Sequence, residues 1–385
     1  MPTGLATLER MSASDRSAWI DRAADALRAG GLVLLPLETV YAVAAHAGRE
    51  DAVSALRALG DGGGPGGGGG ASTWHVVDGS AALRALCEGA GVAVQADHAR
   101  LVRRLNPGPA RFELELSGAA LERARASVGV LAGACDDGSM VAFRAPDHEA
   151  ARAVLSRAGV PVIANGAAAV GLSATGRELD ESAVESALAS GRLAAALDDG
   201  ATRLGKPSTS VRLLSGGGAK VTAVGAYEAR FVEKQLTGTV LFVCTGNTCR
   251  SPMAAAIAEH LLRERGDSAS WRVRSAGVSA MDGAPASAEV GAALSKLGIG
   301  MPNGHRSRAL TSSMLREAEV VFTMTREHAD RVRSMLPPGV DPGVVRPLDP
   351  SGDVPDPIGM PQSSYDETAS RVRELVRAAL EELEP

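Results

Sequence analysis

Near Thr237-Gly238 the pattern of this sequence starts afresh, and that restart limits what the chain can fold into more than any other feature. A helix-like stretch at 227–236 runs up to the dipeptide. Residues 239–243 then form an apolar strand that feeds a polar loop and a helix at 252–265. Further strands are predicted at 271–275, 320–324 and 344–347, and further helices at 287–297, 326–336 and 365–383. Strands that alternate with helices build a parallel sheet covered on both faces. The 385 residues are therefore expected to form two domains, 1–236 and 237–385, at about 100–200 residues per domain. The halves show no self-similarity, so the two domains are different.

The first half also reads as α/β. Helices are predicted at 14–30, 51–59, 80–88, 97–105, 148–158 and 182–190. Strands are predicted at 32–36, 73–77, 91–94, 112–116, 140–144, 160–164 and 208–214, with 40–45 extended. The glycine-rich run at 60–70 cannot hold regular structure and is expected to be a flexible loop.

Composition narrows the function classes. Hydrophobic residues are 45% and charged residues 22%, a globular balance that excludes a wholly disordered or fibrous chain. Aromatics are only 3%, so Ala, Val and Leu must fill the cores, and a surface that stacks bases on rings is not expected. The net charge of −5 gives no broad basic footprint for nucleic acid. The cysteines, Cys87, Cys135, Cys244 and Cys249, lack structural-zinc spacing, so neither a metal nor a cofactor is expected. No secretory signal and no membrane-spanning run are visible, and the expected compartment is a reducing cytoplasm.

The chemistry concentrates in 240–252, where an apolar strand runs into Cys244-Thr-Gly-Asn-Thr-Cys-Arg250-Ser251-Pro252. Cys-x5-Arg alone is weak evidence; its setting is stronger. Gly246 permits unusual backbone angles, and Pro252 suits a first helical turn. A strand, a tight loop and a helix N-terminus make an anion cradle, because amide hydrogens and the positive end of the helix dipole converge there. Such a setting with a guanidinium favours a thiolate, so Cys244 is the candidate nucleophile. Arg250 can grip two phosphoryl oxygens with its planar fork. Ser251 can donate to the sulfur, and Asn247 can hold the loop through side-chain to backbone bonds. A displaced leaving group needs an acid. Asp356, between Pro355 and Pro357 on a stiff loop after the last strand, is the candidate, and Asp353 is its competitor.

With these residues in view, 239–385 resembles the low-molecular-weight protein tyrosine phosphatases. Residues 244–252, Arg274-Ser275-Ala276-Gly277-Val278, His305-Arg306-Ser307-Arg308, Met324-Thr325 with His328, and Asp356-Pro357 follow that family's order. The resemblance implies a flavodoxin-like four-stranded parallel sheet, a phosphorylated protein substrate and a phosphocysteine intermediate. It makes Cys244 the nucleophile, Arg250 the phosphate clamp, and Asp356 first acid and then base. Thr245, Gly246, Asn247, Thr248, Cys249 and Ser251 fill the phosphate loop. Thr248 stands where tyrosine phosphatases carry a bulkier aliphatic residue and where the family's arginine phosphatases carry Thr, so phosphotyrosine and phosphoarginine both stay open. Ile358 replaces a common aromatic. Cys249 could trap Cys244 as a disulfide on oxidation. Arsenate reductases of this fold need a further downstream Cys, and none follows Cys249.

Residues 18–225 resemble the threonylcarbamoyl-AMP synthase (YrdC-like) family, whose fold is a twisted open α/β sheet. The matching stretches are Gly30 to Pro36 with Glu38-Thr-Val-Tyr41, Asn106-Pro-Gly-Pro109, Phe143-Arg144-Ala-Pro-Asp147-His148, Pro161-Val-Ile-Ala and Pro207-Ser208-Thr209. The departures fall on functional positions. The family's Lys-x-Arg is replaced within 60–70, and its Ser-x-Asn by Gly166-Ala167-Ala168; Leu37 and Ala42 replace Thr and Gly. Losing these groups removes charge stabilisation from a triphosphate site. The reading is a fold kept without the synthase reaction, with Arg144, Ser208 and Thr209 as a residual nucleotide or anion site. The alternative is a working synthase, using ATP, bicarbonate and threonine, fused to a phosphatase.

Overall fold

A computed structural model describes residues 5–8, 11–60, 72–266, 268, 270–300 and 304–383. The chain divides into two compact units, Met1–Leu236 and Thr237–Pro385. The flexible loop expected at 60–70 lies outside the described residues, except for Gly60, which is the last residue of a helix.

The first unit contains strands β1 (Ala6–Thr7), β2 (Val33–Leu35), β3 (Ala42–His46), β4 (Thr73–His75), β5 (Ala110–Glu115), β6 (Met140–Arg144), β7 (Val162–Gly166), β8 (Ala195–Asp198), β9 (Thr209–Leu213) and β10 (Ala219–Ala223). Its helices are α1 (Ala13–Ala29), α2 (Glu50–Gly60), α3 (Gly79–Ala90), α4 (Ala96–Leu105), α5 (Gly118–Ser127), α6 (Glu149–Ala158), α7 (Glu181–Ala189) and α8 (Ala229–Leu236). The strands form one sheet in the order β1-β8-β2-β3-β7-β4-β6-β5-β9-β10. It is mixed. β3 and β4 pair antiparallel with β7, while β4 and β6, and β5 and β9, run parallel.

Sequence signals explain most boundaries. Ser12 and Asp78 cap α1 and α3 by accepting the Asp15 and the Ser80 and Ala81 amides. Gly30 and Gly91 end those helices in the left-handed conformation. The strand expected at 91–94 is absent, because Gly91 serves as that stop and the chain goes on irregularly to α4. Ala-rich β8 and mostly exposed β10 gave no apolar alternation to read.

The second unit contains β11 (Gly238–Cys244), β12 (Trp271–Gly277), β13 (Val320–Thr323) and β14 (Val345–Pro347). Its helices are α9 (Arg250–Arg265), α10 (Ala288–Lys296), α11 (Ser312–Glu317), α12 (Arg326–Ser334) and α13 (Gln362–Glu381). The sheet order is β12-β11-β13-β14, and every pairing is parallel, as expected. β11 is buried along its whole length, and its side chains alternate between two cores. Val240, Phe242 and Cys244 pack with residues of α9, α10 and α13. Leu241 and Val243 pack with residues of α11 and α12. Burying a side chain such as Phe242 stabilises the unit by about 1.5–3 kcal/mol. This doubly covered sheet brings the C-terminal ends of β11, β12 and β13 side by side, where open α/β sheets carry their sites.

Candidate active site

Cys244 ends β11 in register with Gly277, the last residue of β12. Residues 245–249 then turn the chain into α9, whose N-terminus faces back along the loop. The turn needs a left-handed residue. Asn247 supplies it, at φ 57°, rather than Gly246, the glycine expected to use that freedom. Asn tolerates this conformation better than most side chains. Gly277 is the glycine the loop cannot do without. A Cβ there would lie 2.4 Å from the Thr245 carbonyl oxygen and 3.0 Å from the Asn247 nitrogen.

Asn247 holds the loop. Its Nδ2 donates to Ser251 Oγ and to Ser275 Oγ, both at 2.9 Å. Its Oδ1 accepts the Arg308 amide at 3.0 Å, and its carbonyl accepts His305 Nε2 at 2.9 Å. Its own amide points at Cys244 Sγ, 3.3 Å away. The buried Cys244 sulfur also lies 3.0 Å from Ser251 Oγ. It therefore faces the cradle, with a backbone amide and a hydroxyl as partners and the first turn of α9 beneath it.

Arg250 and Asp356 meet across this cradle. Arg250 Nη2 donates to Asp356 Oδ2 at 2.5 Å, and Nη1 to the Val354 carbonyl at 3.1 Å. The guanidinium is buried, whereas the Asp356 side chain is 40% exposed and so reaches solvent. Asp353, the competitor, accepts the Arg326 amide at 2.9 Å and is tied to the start of α12 instead. Thr245, Gly246, Asn247, Thr248 and Cys249 thus link Cys244, at the end of β11, to Arg250 and Ser251 in the first turn of α9, and Asp356 reaches Arg250 from a separate segment after β14.

Thr248 is half-buried, and its hydroxyl lies 3.7 Å from Cys249 Sγ. The Cys249 sulfur sits 3.0 Å from Ser287 Oγ and 3.9 Å from the Tyr365 hydroxyl. Burial, and then the nearby Cys249, push the Tyr365 phenol above its ordinary pKa. Both loop cysteines are free thiols. Ile358 and Met360, on the Asp356 loop, are exposed.

In the sequence, Ser275, Gly277, His305 and His328 stand out only as members of stretches that match the phosphatase family. His328 is buried, with Nε2 2.8 Å from Thr245 Oγ1 and Nδ1 2.9 Å from Thr325 Oγ1. Burial, and then the charge of Arg250, lower its pKa from the ordinary histidine value. No single-residue signal marks these positions, since each works through a contact distant in sequence.

In the first unit, Arg144 is buried and already paired. Its guanidinium binds the Glu38 carboxylate, Thr39 Oγ1 at 3.0 Å and the Gly108 carbonyl at 3.3 Å. Thr209 donates to the Tyr227 carbonyl and accepts the Gly225 and Tyr227 amides. Ser208 is half-buried beside it. Two of the three anion-site candidates are thus committed to internal bonds. A nearby pocket of about 280 Å³ sets Glu38, Asp147, Glu149 and Asp199 against Arg203 and His148, a lining rich in negative charge. Among the described residues, no group of His, Cys, Asp or Glu could hold a metal ion, and no helix is long and apolar enough to cross a membrane.

Comparison with known proteins points to the second unit. The family described as low molecular weight phosphotyrosine protein phosphatase matches residues 239–385. A protein-arginine-phosphatase of Geobacillus stearothermophilus is 35% identical over 148 residues, covering 38% of this chain and 95% of its own length. An arsenate reductase of Staphylococcus epidermidis is 32% identical over 143 residues, covering 37% of this chain and 93% of its own. A crystal structure of a low molecular weight protein tyrosine phosphatase from T. tengcongensis is 36% identical and covers 38% of this chain and 99% of that one, with a TM-score of 0.35.

Proposed function

Residues 239–385 belong to the low molecular weight phosphotyrosine protein phosphatase family, and from that premise we propose that this chain dephosphorylates proteins through a phosphocysteine on Cys244. The Cys244 sulfur attacks phosphorus, and the bond from phosphorus to the side-chain oxygen or nitrogen breaks. Asp356 gives its proton to that leaving atom. Arg250 and the loop amides hold the phosphoryl oxygens as charge builds on them. Water then attacks phosphorus, Asp356 takes the water's proton, the sulfur–phosphorus bond breaks, and inorganic phosphate leaves. The observation that carries this reading is the grouping of the buried Cys244 sulfur, the Asn247 amide and Ser251 Oγ with the Arg250–Asp356 pair opposite.

Phosphoarginine is the preferred substrate. Thr248 keeps the pocket wall small and polar, which suits a guanidine, and the absence of an aromatic at Ile358 leaves less to grip a phenyl ring. Arsenate reduction is disfavoured because no cysteine follows Cys249 in the chain. The first unit is read as a YrdC-like sheet that lacks the synthase reaction; the Arg144–Glu38 pair and the acidic pocket argue against a triphosphate.

The test is hydrolysis of para-nitrophenyl phosphate, a phosphotyrosine peptide and a phosphoarginine peptide by wild type and Cys244→Ser. Wild type should turn over all three, with phosphoarginine highest in kcat/KM, and the variant should fall by at least about 10³-fold. Equal rates from the two proteins end the proposal.

A further inference from the structure

We propose that His328 is a positioning residue for this reaction, holding the Thr245 hydroxyl, and with it the start of the phosphate loop, through an uncharged imidazole. The inference rests on the phosphatase reading. His328 lies in the first turn of α12, behind β13, and Thr245 follows the nucleophile at the end of β11, so the ring ties two strand ends together.

A neutral imidazole offers one donor and one acceptor. Thr325 caps α12 and already accepts the His328 amide at 3.1 Å. Its hydroxyl can still either donate to Nδ1 or accept from it, 2.9 Å away. In the first arrangement, the one proposed, the ring hydrogen is on Nε2 and goes to Thr245 Oγ1 at 2.8 Å. That leaves the hydroxyl hydrogen of the exposed Thr245, the residue after Cys244, uncommitted among the described residues.

The surroundings favour this neutral state. The charged groups facing the ring are Arg250 from α9, Glu327 from α12, and Asp356 and Asp353 from the acid loop. Burial and Arg250 oppose a second cation there, and burial is the larger effect. An imidazolium would have to donate from both nitrogens. It would turn the Thr325 hydroxyl hydrogen away and place a new charge beside the Arg250–Asp356 pair.

Two conservative variants separate the nitrogens. In His328→Gln the side-chain amide reaches the Nε2 position and can still donate to Thr245. In His328→Asn the amide reaches only the Nδ1 position. We would measure kcat and KM for para-nitrophenyl phosphate, and inhibition by inorganic phosphate, from pH 4.5 to 8 on the full chain, with thermal unfolding as the folding control. His328→Gln should stay within about threefold of wild type at pH 7 and lack any acid-side change due to imidazole. His328→Asn should lose about tenfold in kcat/KM, the worth of one hydrogen bond. Thr245→Val should match it, and the double variant should lose no more than either single one. Should His328→Asn fail to fold, Thr245→Val and His328→Gln carry the comparison. Equal behaviour of the Asn and Gln variants, or additive losses in the double variant, overturns the inference while an active wild type leaves the phosphatase reading standing. A wild type that hydrolyses nothing overturns both.

Discussion

His75 gives the first unit an acid limit whose size can be worked out. It is the last residue of β4, and it is buried. Its Nδ1 lies 3.0 Å from the Thr73 carbonyl and so carries the ring hydrogen, while Nε2 is buried with no hydrogen-bond partner. Burial first, and then the charges of Arg144 and Arg111, lower its pKa to about 3 from an ordinary 6.5. Above about pH 6.5 the ring is neutral whether the unit is folded or not, and His75 leaves stability unaffected. Below that, the unfolded chain takes up a proton that the folded one refuses, so stability falls as pH falls, by about 1.4 kcal/mol per unit. At pH 4.5 the loss is about 3 kcal/mol, and near pH 3 it levels off at roughly 5 kcal/mol. Carboxylates titrate in the same range, so the measurement is a difference. His75→Asn keeps a donor for the Thr73 carbonyl and cannot take up the proton. Urea unfolding of both proteins would be followed by tryptophan fluorescence in a Trp271→Phe background, so that Trp19 and Trp74 report on the first unit. Free energies of the two proteins should diverge as the pH drops from 6.5 to 4.5, with wild type losing more. Parallel curves would refute the argument.

Two further predictions concern the active site. Asp356→Asn should lower kcat about 10²- to 10⁴-fold on a phosphotyrosine peptide and less on para-nitrophenyl phosphate, whose leaving group needs less help; equal rates on both, unchanged from wild type, would remove Asp356 from the mechanism. Asn247→Ala should lower kcat/KM at least about 100-fold and also reduce the thermal stability of the second unit. It removes the acceptor of the Arg308 amide and the amide donor to the Ser251 and Ser275 hydroxyls, at about 0.5–1.5 kcal/mol for each lost bond, and puts Ala at a positive φ; a variant with wild-type melting and turnover would show that the Asn247 bonds are dispensable.

Much of the second unit was legible because its signals are local. An apolar strand, a polar turn and a helix lie consecutively in 239–265, and the elements after them alternate with the right period. Its site was legible for the same reason: Cys244, Arg250 and Ser251 sit in one short stretch. What the sequence concealed depends on contacts between distant segments. Which of Asp353 and Asp356 lies against Arg250 and which accepts the Arg326 amide at the start of α12 depends on such contacts. The left-handed turn fell to Asn247 because four partners brought from Ser251, Ser275, His305 and Arg308 hold it there. In the first unit, the strand order interleaves segments far apart in the chain, and no short-range periodicity encodes that. The stretch at 91–94 looked apolar enough for a strand, yet a glycine stop took precedence.

The enclosed pairing of Arg144 with Glu38 weighs against an anion in the first unit. A guanidinium sealed away from water attracts phosphate only while its charge is unanswered, and here a carboxylate from the same unit answers it. A solute phosphate would have to evict Glu38 and leave that acid stranded in a dry setting, and breaking such a pair costs about 3–5 kcal/mol. As it stands, the arginine that looks most like a lure for nucleotides fastens the Glu38 segment to the end of β6.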